Sequence, residues 1–182
     1  RGRKIFAYIG NMGVAQGMDV LIDMAENLAH RPDAGLVFVG RGSDFARLQA
    51  EAKRRNLTNT LFFDEIPATQ IPGLLDQCFA GLVALDPAHK SHNIPGKFLS
   101  YLRAGLPVLA RVNAGTDLIQ IIDEDGVGRA FTGNAASEMA RFAEALMDDP
   151  ARHADMRVHA RNLAERDFSP AATVVQIMSH LR

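Results

Sequence analysis

A lysine stands in the first turn of a predicted helix, where a carboxylate would be expected. The segment SHNIPGKFLSYLRAGLPVLA, residues 91–110, predicts a short helix that Pro95 opens and Gly105 closes. The helix dipole is positive at its N-terminus and favours acidic residues, yet the first turn contains Gly96 and Lys97. The backbone N–H groups after Pro95 and the Lys97 ammonium together would suit a phosphate group. The alternative is a solvated lysine that tolerates a small electrostatic cost.

Glycines follow the first two predicted strands. The first turn, GNMGVAQG, contains Gly10, Gly13 and Gly17, and the second strand ends at Gly40. Glycine lets the backbone approach a ligand and leaves N–H groups free to face an anion. The spacing matches neither G-x-G-x-x-G nor G-x-x-x-x-G-K-[ST], and no acidic residue closes the second strand, which disfavours a nicotinamide dinucleotide site. Tight turns with positive φ are the alternative explanation.

The loop before the lysine helix contains three conceivable metal ligands, Asp86, His89 and His92. Their spacing is weak evidence for a metal site, so no metal is expected, and His92 is instead a candidate hydrogen-bond donor into a cleft. Cys78 is the only cysteine and is predicted to be buried. The histidines that are predicted to be solvated on helical faces are His30, His153, His159 and His180.

These residues need a scaffold that brings several strand ends together. Apolar runs without alternation predict strands covered on both faces, at Ile5–Ile9, Leu36–Val39, Thr60–Phe63, Ala80–Leu85, Pro107–Ala110 and Val127–Phe131. Helical patterns fill the gaps, at Met18–Ala29, Asp44–Arg55, Ile71–Gln77, Lys97–Ala104, Thr116–Asp123 and Ser137–Met147. The alternation predicts an α/β fold, a doubly wound Rossmann-like parallel sheet of about six strands with helices on both faces. Ligands of such sheets bind outside the C-terminal strand ends.

From Pro150 onward the pattern is helical only, and it predicts a long helix, a break at Ser169-Pro170 and a last helix over Ala171–Leu181. The chain has 20 basic and 21 acidic residues among 182, and this balance disfavours nucleic acid as a partner. No apolar stretch approaches the roughly 18 residues that span a bilayer. Because the chain begins at Arg1 and enters a strand almost at once, we expect a partner domain upstream.

Six segments carry a family resemblance, namely YIGNMGVAQGMDVLIDMA, LVFVGRGSDFARLQ, LFFDEIPATQIPGLLDQC, GLVALDP, IPGKFLSYLRAGLPVLA and FSP. In this order they resemble the C-terminal domain of family-4 glycosyltransferases, most closely the subgroup that builds bacterial surface polysaccharides and lipopolysaccharide. The resemblance implies a GT-B fold, in which two Rossmann-like domains face each other across a cleft. Residues 1–182 would then be the single C-terminal domain that binds a nucleotide-sugar donor, without the N-terminal acceptor domain.

The resemblance also implies roles for individual residues. Pro95–Lys97 would head the helix that receives the donor's diphosphate. Gly10–Gly13 would lie against the phosphates or the sugar, and Gly40 would belong to the same donor-binding site. Glu65 and Ile66 would lie near the base, with backbone groups of Ile66 facing a uracil edge.

The sequence departs from the family at four positions. Many relatives carry an arginine and a lysine in the first turn, where this chain has Asn11 and Gln16, and the loss of both charges leaves more of the anion binding to Lys97. Many also carry two glutamates eight positions apart, where this chain has His92 and Ser100. Ser100 would hold ribose hydroxyls more weakly than a glutamate, and His92 would replace a contact to the donor sugar, so the sugar stays undetermined.

These implied roles predict a retaining glycosyl transfer from a nucleotide-sugar, with UDP as the nucleotide by analogy. Lys97 and His92 are the candidate catalytic residues, because negative charge builds on the β-phosphate as the glycosidic bond breaks. No cofactor is expected, since the nucleotide-sugar is a substrate. A saccharide or lipid-linked acceptor would bind the upstream domain, so the isolated domain would bind donor without turnover.

Two other functions fit the same fold. A GT-B nucleotide-sugar epimerase would need catalytic carboxylates in the cleft, where His92 and Ser100 stand. A non-catalytic nucleotide-binding module would need only the phosphate site. For the transferase, the resemblance implies a cytoplasmic location, peripheral to the inner membrane through the upstream domain.

Overall fold

The computed structural model describes residues 2–86, 88 and 94–169. The strands are β1 (Lys4–Ile9), β2 (Ala34–Val39), β3 (Thr60–Phe63), β4 (Ala80–Ala84), β5 (Val108–Arg111) and β6 (Gly128–Phe131). All of their pairings are parallel, and the order in the sheet is β3-β2-β1-β4-β5-β6. The direction of winding reverses between β1 and β4, which is where sheets of this kind open a ligand crevice.

Helices connect the strands as the sequence predicts. They are α1 (Asp19–Asn27), α2 (Phe45–Arg54), α3 (Ile71–Leu75), α4 (Gly96–Arg103), α5 (Asp117–Glu124), α6 (Ala136–Asp148) and α7 (Pro150–Phe168), with short 3₁₀ turns at Val14–Gln16 and Ala68–Gln70. The break predicted after the long helix is present, because Ser169 has extended backbone. The predicted last helix, residues 171–181, lies outside the described residues.

The core has two layers, one on each face of the sheet. Alternate residues of β1 point to opposite layers: Phe6 and Tyr8 pack with α1 and α6, whereas Ala7 and Ile9 pack with α4 and the inner side of α7. β2 and β4 are buried along their full lengths. The prediction that apolar runs form strands covered on both faces is therefore confirmed for β2 and β4. Within the described residues, no helix is both long and apolar enough to cross a membrane.

A side chain from α4 fills the point where the sheet divides. β1 pairs with β4 only through Phe6–Ala80 and Ala7–Gly81, and the two strands separate beyond this point. The hydroxyl of Tyr101 occupies the gap, where it accepts a hydrogen bond from the Ile9 N–H (3.1 Å) and donates one to the Leu82 carbonyl (3.2 Å). The Tyr101 hydroxyl thus satisfies two backbone groups where the strands separate, and it fixes α4 against the sheet.

Candidate functional site

The first turn, residues 10–17, is held rigid by its own polar side chains. The Gln16 side-chain oxygen accepts hydrogen bonds from the Gly13 N–H (2.9 Å) and from the Asn11 side-chain amide (3.2 Å). At the end of the turn Gly17 adopts a left-handed conformation, with φ 54°. Asn11 and Gln16 stand where relatives carry positive charges, and the hydrogen bond between their side chains stabilises the conformation of the turn.

The first turn also lies against the end of the neighbouring strand β2. The N–H of Gly10 donates to the carbonyl of Val39 (2.9 Å), and that of Met12 donates to the carbonyl of Arg41 (2.8 Å). Gly40 has φ 146°, and a Cβ on this residue would overlap the Gly10 carbonyl. Glycine at position 40 is therefore required by the close approach of two backbones, and the contact brings both predicted glycine sites to one edge of the sheet.

Lys97 lies in the first helical turn of α4, and its side chain extends beneath the glycine turn of residues 10–17. Its ammonium donates a hydrogen bond to the hydroxyl of Tyr8 and lies 3.7 Å from the centre of the Tyr8 ring. It also lies 3.9 Å from the position that a Cβ on Gly10 would occupy, which is van der Waals contact with the glycine turn. Lys97 is thus half-buried beside the glycine turn, and the solvated alternative is wrong.

Burial controls the protonation of this lysine. Desolvation lowers the pKa of Lys97 to about 7, because little water remains to stabilise the ammonium. Within the described parts of the chain, no carboxylate forms an ion pair with Lys97 that would oppose this shift. An anion that enters beside Gly10 would supply the absent charge and would favour the ammonium form.

The end of α4 offers the remaining groups of a phosphate site. Pro95 caps the helix with extended backbone, and Gly96 begins it without a side chain or an acidic neighbour in the first turn. The Ser100 hydroxyl donates back to the Gly96 carbonyl (3.3 Å) and lies beside Lys97 in a cleft of about 230 Å³. His92 lies outside the described residues.

A second part of the crevice lies beside β2. It has a volume of about 360 Å³ and is lined by Gly10, Asn11, Gly40, Arg41, Glu65 and Ile66, among others. The Glu65 carboxylate forms an exposed ion pair with Arg41 (3.0 Å), so its side chain is already engaged. Ile66 is half-buried in the apolar layer beside Ile71. The two clefts share Ile9, Gly10 and Ile71, and they form one continuous surface along the strand ends.

Arg111 holds the far end of the first turn and was missed in the sequence analysis. It is 4% exposed, and its guanidinium donates to the carbonyls of Leu85 and of Gly17, the latter at 2.6 Å. Burial lowers its pKa, and the Asp86 carboxylate opposes this effect. The Asp86 N–H in turn donates to the Ala15 carbonyl (2.9 Å). The turn is therefore attached to the ends of β4 and β5 as well as to β2.

The predicted site residues that the structure describes lie along one crevice, but two polar groups that organise them were not predicted. Tyr8 looked like one more residue of an apolar run, although a tyrosine in such a run must place its hydroxyl on a partner. Arg111 looked like a residue of the turn after β5, and only the fold shows that it points inward. Within the described ranges, no three His, Cys, Asp or Glu side chains are grouped to hold a metal ion.

One prediction made far from this site is wrong. His153 is not solvated, since its ring stacks on Phe79 with the ring centres 3.9 Å apart, and its Nε2 lies 2.8 Å from the Phe79 carbonyl. The α7 pattern showed a polar face but not the aromatic ring that precedes β4.

Comparison with known proteins identifies the family. The sequence model of the family "Glycosyl transferases group 1" matches residues 1–163. The chain is 25% identical over 148 residues to the probable glycosyltransferase WbjE of Pseudomonas aeruginosa, covering 81% of this chain and 37% of that protein. It is 29% identical over 185 residues to WcaI of Escherichia coli K12, a putative colanic acid biosynthesis glycosyl transferase, covering 99% of this chain and 43% of that protein.

A solved structure shares the fold. HepE of Anabaena, crystallised in complex with UDP, superimposes with a TM-score of 0.84 at 18% identity, covering 99% of this chain and 49% of that one. This chain spans about two-fifths of the length of the two curated relatives. The sequence match, the sheet order and the crevice beside β1 agree, and the chain belongs to the group 1 glycosyl transferases, with the Rossmann-like architecture of a GT-B enzyme.

Proposed function

We propose that this chain binds the nucleotide-sugar donor of a glycosyl transfer and is the C-terminal domain of a two-domain enzyme. The observation that carries the proposal is the position of Lys97. Its ammonium lies where the N-terminus of α4 meets the side-chain-free edge of the turn at Gly10. A diphosphate at this point would meet backbone N–H donors from the helix end and one lysine that has no carboxylate partner among the described residues.

The nucleotide and the diphosphate fit different parts of the crevice. A base would lie in the cleft beside Gly40 and Ile66, where apolar side chains surround a backbone that can read its polar edge. The diphosphate would lie toward Gly10 and Lys97. We propose UDP as the nucleotide, and the presence of UDP in the HepE structure supports this choice.

The chemistry is proposed to be a retaining transfer. As the bond between the sugar and the β-phosphate breaks, negative charge grows on the departing diphosphate. Lys97 and the end of α4 would stabilise that charge most strongly when it is largest, which is how electrostatic groups accelerate a reaction. We expect no metal requirement, because these groups supply the positive charge. His92 and Ser100 are proposed to contact the donor in place of glutamates.

The acceptor and the biological setting follow from the same proposal. A saccharide or lipid-linked acceptor would bind the N-terminal domain, so this domain alone would bind donor without turnover. The similarity to WcaI, a putative colanic acid biosynthesis glycosyl transferase, supports a role in making a bacterial surface polysaccharide or lipopolysaccharide. We propose that the reaction takes place in the cytoplasm.

Calorimetry with UDP tests the donor site. We expect Lys97→Ala to weaken UDP binding roughly 10- to 100-fold, because a hydrogen bond from a charged group to phosphate contributes about 1.5–3 kcal/mol. The matched control is Lys53→Ala, which removes an exposed lysine of α2 and leaves the affinity unchanged. Addition of EDTA is expected to have no effect. Equal binding by the wild type and Lys97→Ala would refute the assignment of Lys97.

The two alternative functions make different predictions. An epimerase would isomerise or hydrolyse a UDP-sugar without an acceptor. A non-catalytic module would bind UDP tightly, and the two-domain protein that contains it would release no UDP from any donor and acceptor pair.

A further inference from the structure

Tyr8 joins the lysine of the proposed donor site to the glycine turn. Its hydroxyl accepts a hydrogen bond from the Lys97 ammonium and donates one to the Asn11 carbonyl (2.7 Å). We propose that Tyr8 is a positioning residue that holds Lys97 retracted beside Gly10 in the free protein, so that a phosphate must draw the lysine out. This inference rests on the proposed donor site.

The geometry makes Tyr8 suited to hold a cation in place. The residue is completely buried, and the donation to Asn11 commits its only hydroxyl proton, so the lone pairs of the oxygen face Lys97. The ring lies 3.7 Å from the ammonium and adds a cation–π attraction. Burial raises the pKa of Tyr8, so the hydroxyl stays neutral and does not offer a full counter-charge.

Apart from Lys97, the described residues that line its cleft carry no charge. Tyr101 lies one turn further along α4, and burial raises its pKa. Cys78, between α3 and β4, interacts electrostatically with Tyr101, and burial raises its pKa to about 11. On the open side the cleft is lined by Ile71, Leu75 and the Ser100 hydroxyl. In this part of the described chain, the retracted lysine therefore has an acceptor but no anion.

A lysine held in this way must gain a proton when it binds phosphate above neutral pH. Its pKa of about 7 in the free protein rises when a phosphate anion becomes its partner. The affinity for phosphate then falls by up to about tenfold for each pH unit above that value, because the binding form becomes rarer. A lysine freed from Tyr8 would return toward its ordinary pKa and would lose this dependence.

The test compares two buried tyrosines. UDP affinity is measured by calorimetry at pH 7.5 and 8.5 for the full chain, for Tyr8→Phe and for Tyr101→Phe. Each variant loses one buried hydroxyl that accepts one hydrogen bond and donates another, but Tyr8 accepts its hydrogen bond from Lys97, whereas Tyr101 bonds to the backbone of Ile9 and Leu82. We expect the wild-type affinity to fall about tenfold between the two pH values. Tyr101→Phe should keep that slope, whereas Tyr8→Phe should flatten it to less than about threefold.

Direct titration of Lys97 separates this inference from the proposed function. The chain has four lysines, so ¹³C labelling gives few signals, and Lys97→Arg identifies the one that belongs to Lys97. We expect the Lys97 signal to titrate near pH 7 in the wild type and near its ordinary value of 10.5 in Tyr8→Phe. A wild-type signal that titrates near 10.5, or a Tyr8→Phe signal unchanged from wild type, would overturn the role of Tyr8. A shift as expected without UDP binding would support Tyr8 and refute the donor site.

Discussion

The cations at the two ends of the parallel sheet differ in whether they have carboxylate partners. At the N-terminal end, Arg31 forms ion pairs with Asp33 (3.0 Å) and Asp148 (2.8 Å), and these hydrogen bonds raise its pKa and lower theirs. At the C-terminal end, Lys97 and Arg111 point inward, and burial lowers the pKa of both. Arg31 with its two carboxylates stabilises the fold, and Arg111 stabilises the first turn, whereas Lys97 has no carboxylate partner among the described residues and is available to a ligand.

The two ends of the sheet also differ in how closely side chains fill them. At the N-terminal end, ordinary side chains close the sheet, such as the stacked Phe79 and His153. At the C-terminal end, Gly10 and Gly40 have positive φ, and a Cβ on Gly40 would overlap the Gly10 carbonyl. Side chains fill the N-terminal end of the sheet, whereas glycines, which have no side chain, keep the C-terminal end open.

The largest effect is expected from filling the open end. Gly40→Ala places a Cβ against the Gly10 carbonyl and imposes an unfavourable φ, so we expect a loss of about 3–5 kcal/mol in the free energy of unfolding. Urea denaturation measures this loss. The matched control is Gly133→Ala, which also has positive φ but meets no atom within 4 Å. A smaller loss in Gly40→Ala than in Gly133→Ala would show that the close approach is not required.

An intermediate effect is expected from pH. The unfolded chain keeps the Lys97 proton up to about pH 10.5, whereas the folded chain loses it near pH 7. Between these values the unfolded state binds more protons, so the stability of wild type relative to Lys97→Met should rise with pH. We expect a rise of roughly 1–2 kcal/mol from pH 7 to 9 and no change below pH 7. A flat difference across this window would mean that Lys97 is not desolvated in the folded protein.

The smallest effect is expected at the closed end. Arg31→Gln removes ion pairs that are partly open to water, and such pairs contribute little, so the melting temperature should fall by only a few degrees. The pKa values of Asp33 and Asp148 are lowered in the folded state, so this difference should be complete above pH 3.8 and should vanish as the pH falls below it. UDP affinity should not change. A weaker affinity would mean that the two ends are not independent.

The fold was predictable because its signal is local. Each strand is a short apolar run, such as residues 36–39 or 80–84, and each helix has its own period. The turns that carry the site were predictable for the same reason, since glycine and the proline at position 95 mark them. The contacts that adjust the site were not predictable, because Tyr8 meets Lys97 across 89 residues and Gly17 meets Arg111 across 94. Such pairs depend on strand order, which no local pattern specifies.

The Tyr101 hydroxyl between the separating strands has a mechanical consequence. Because it connects α4 to both β1 and β4, the helix cannot slide along the sheet without breaking two backbone contacts. We therefore expect the strands, the first turn and α4 to move together as one stiff unit. Any closure around a ligand would then come from the movement of this whole unit, while the spacing between the helix end and the turn stays constant.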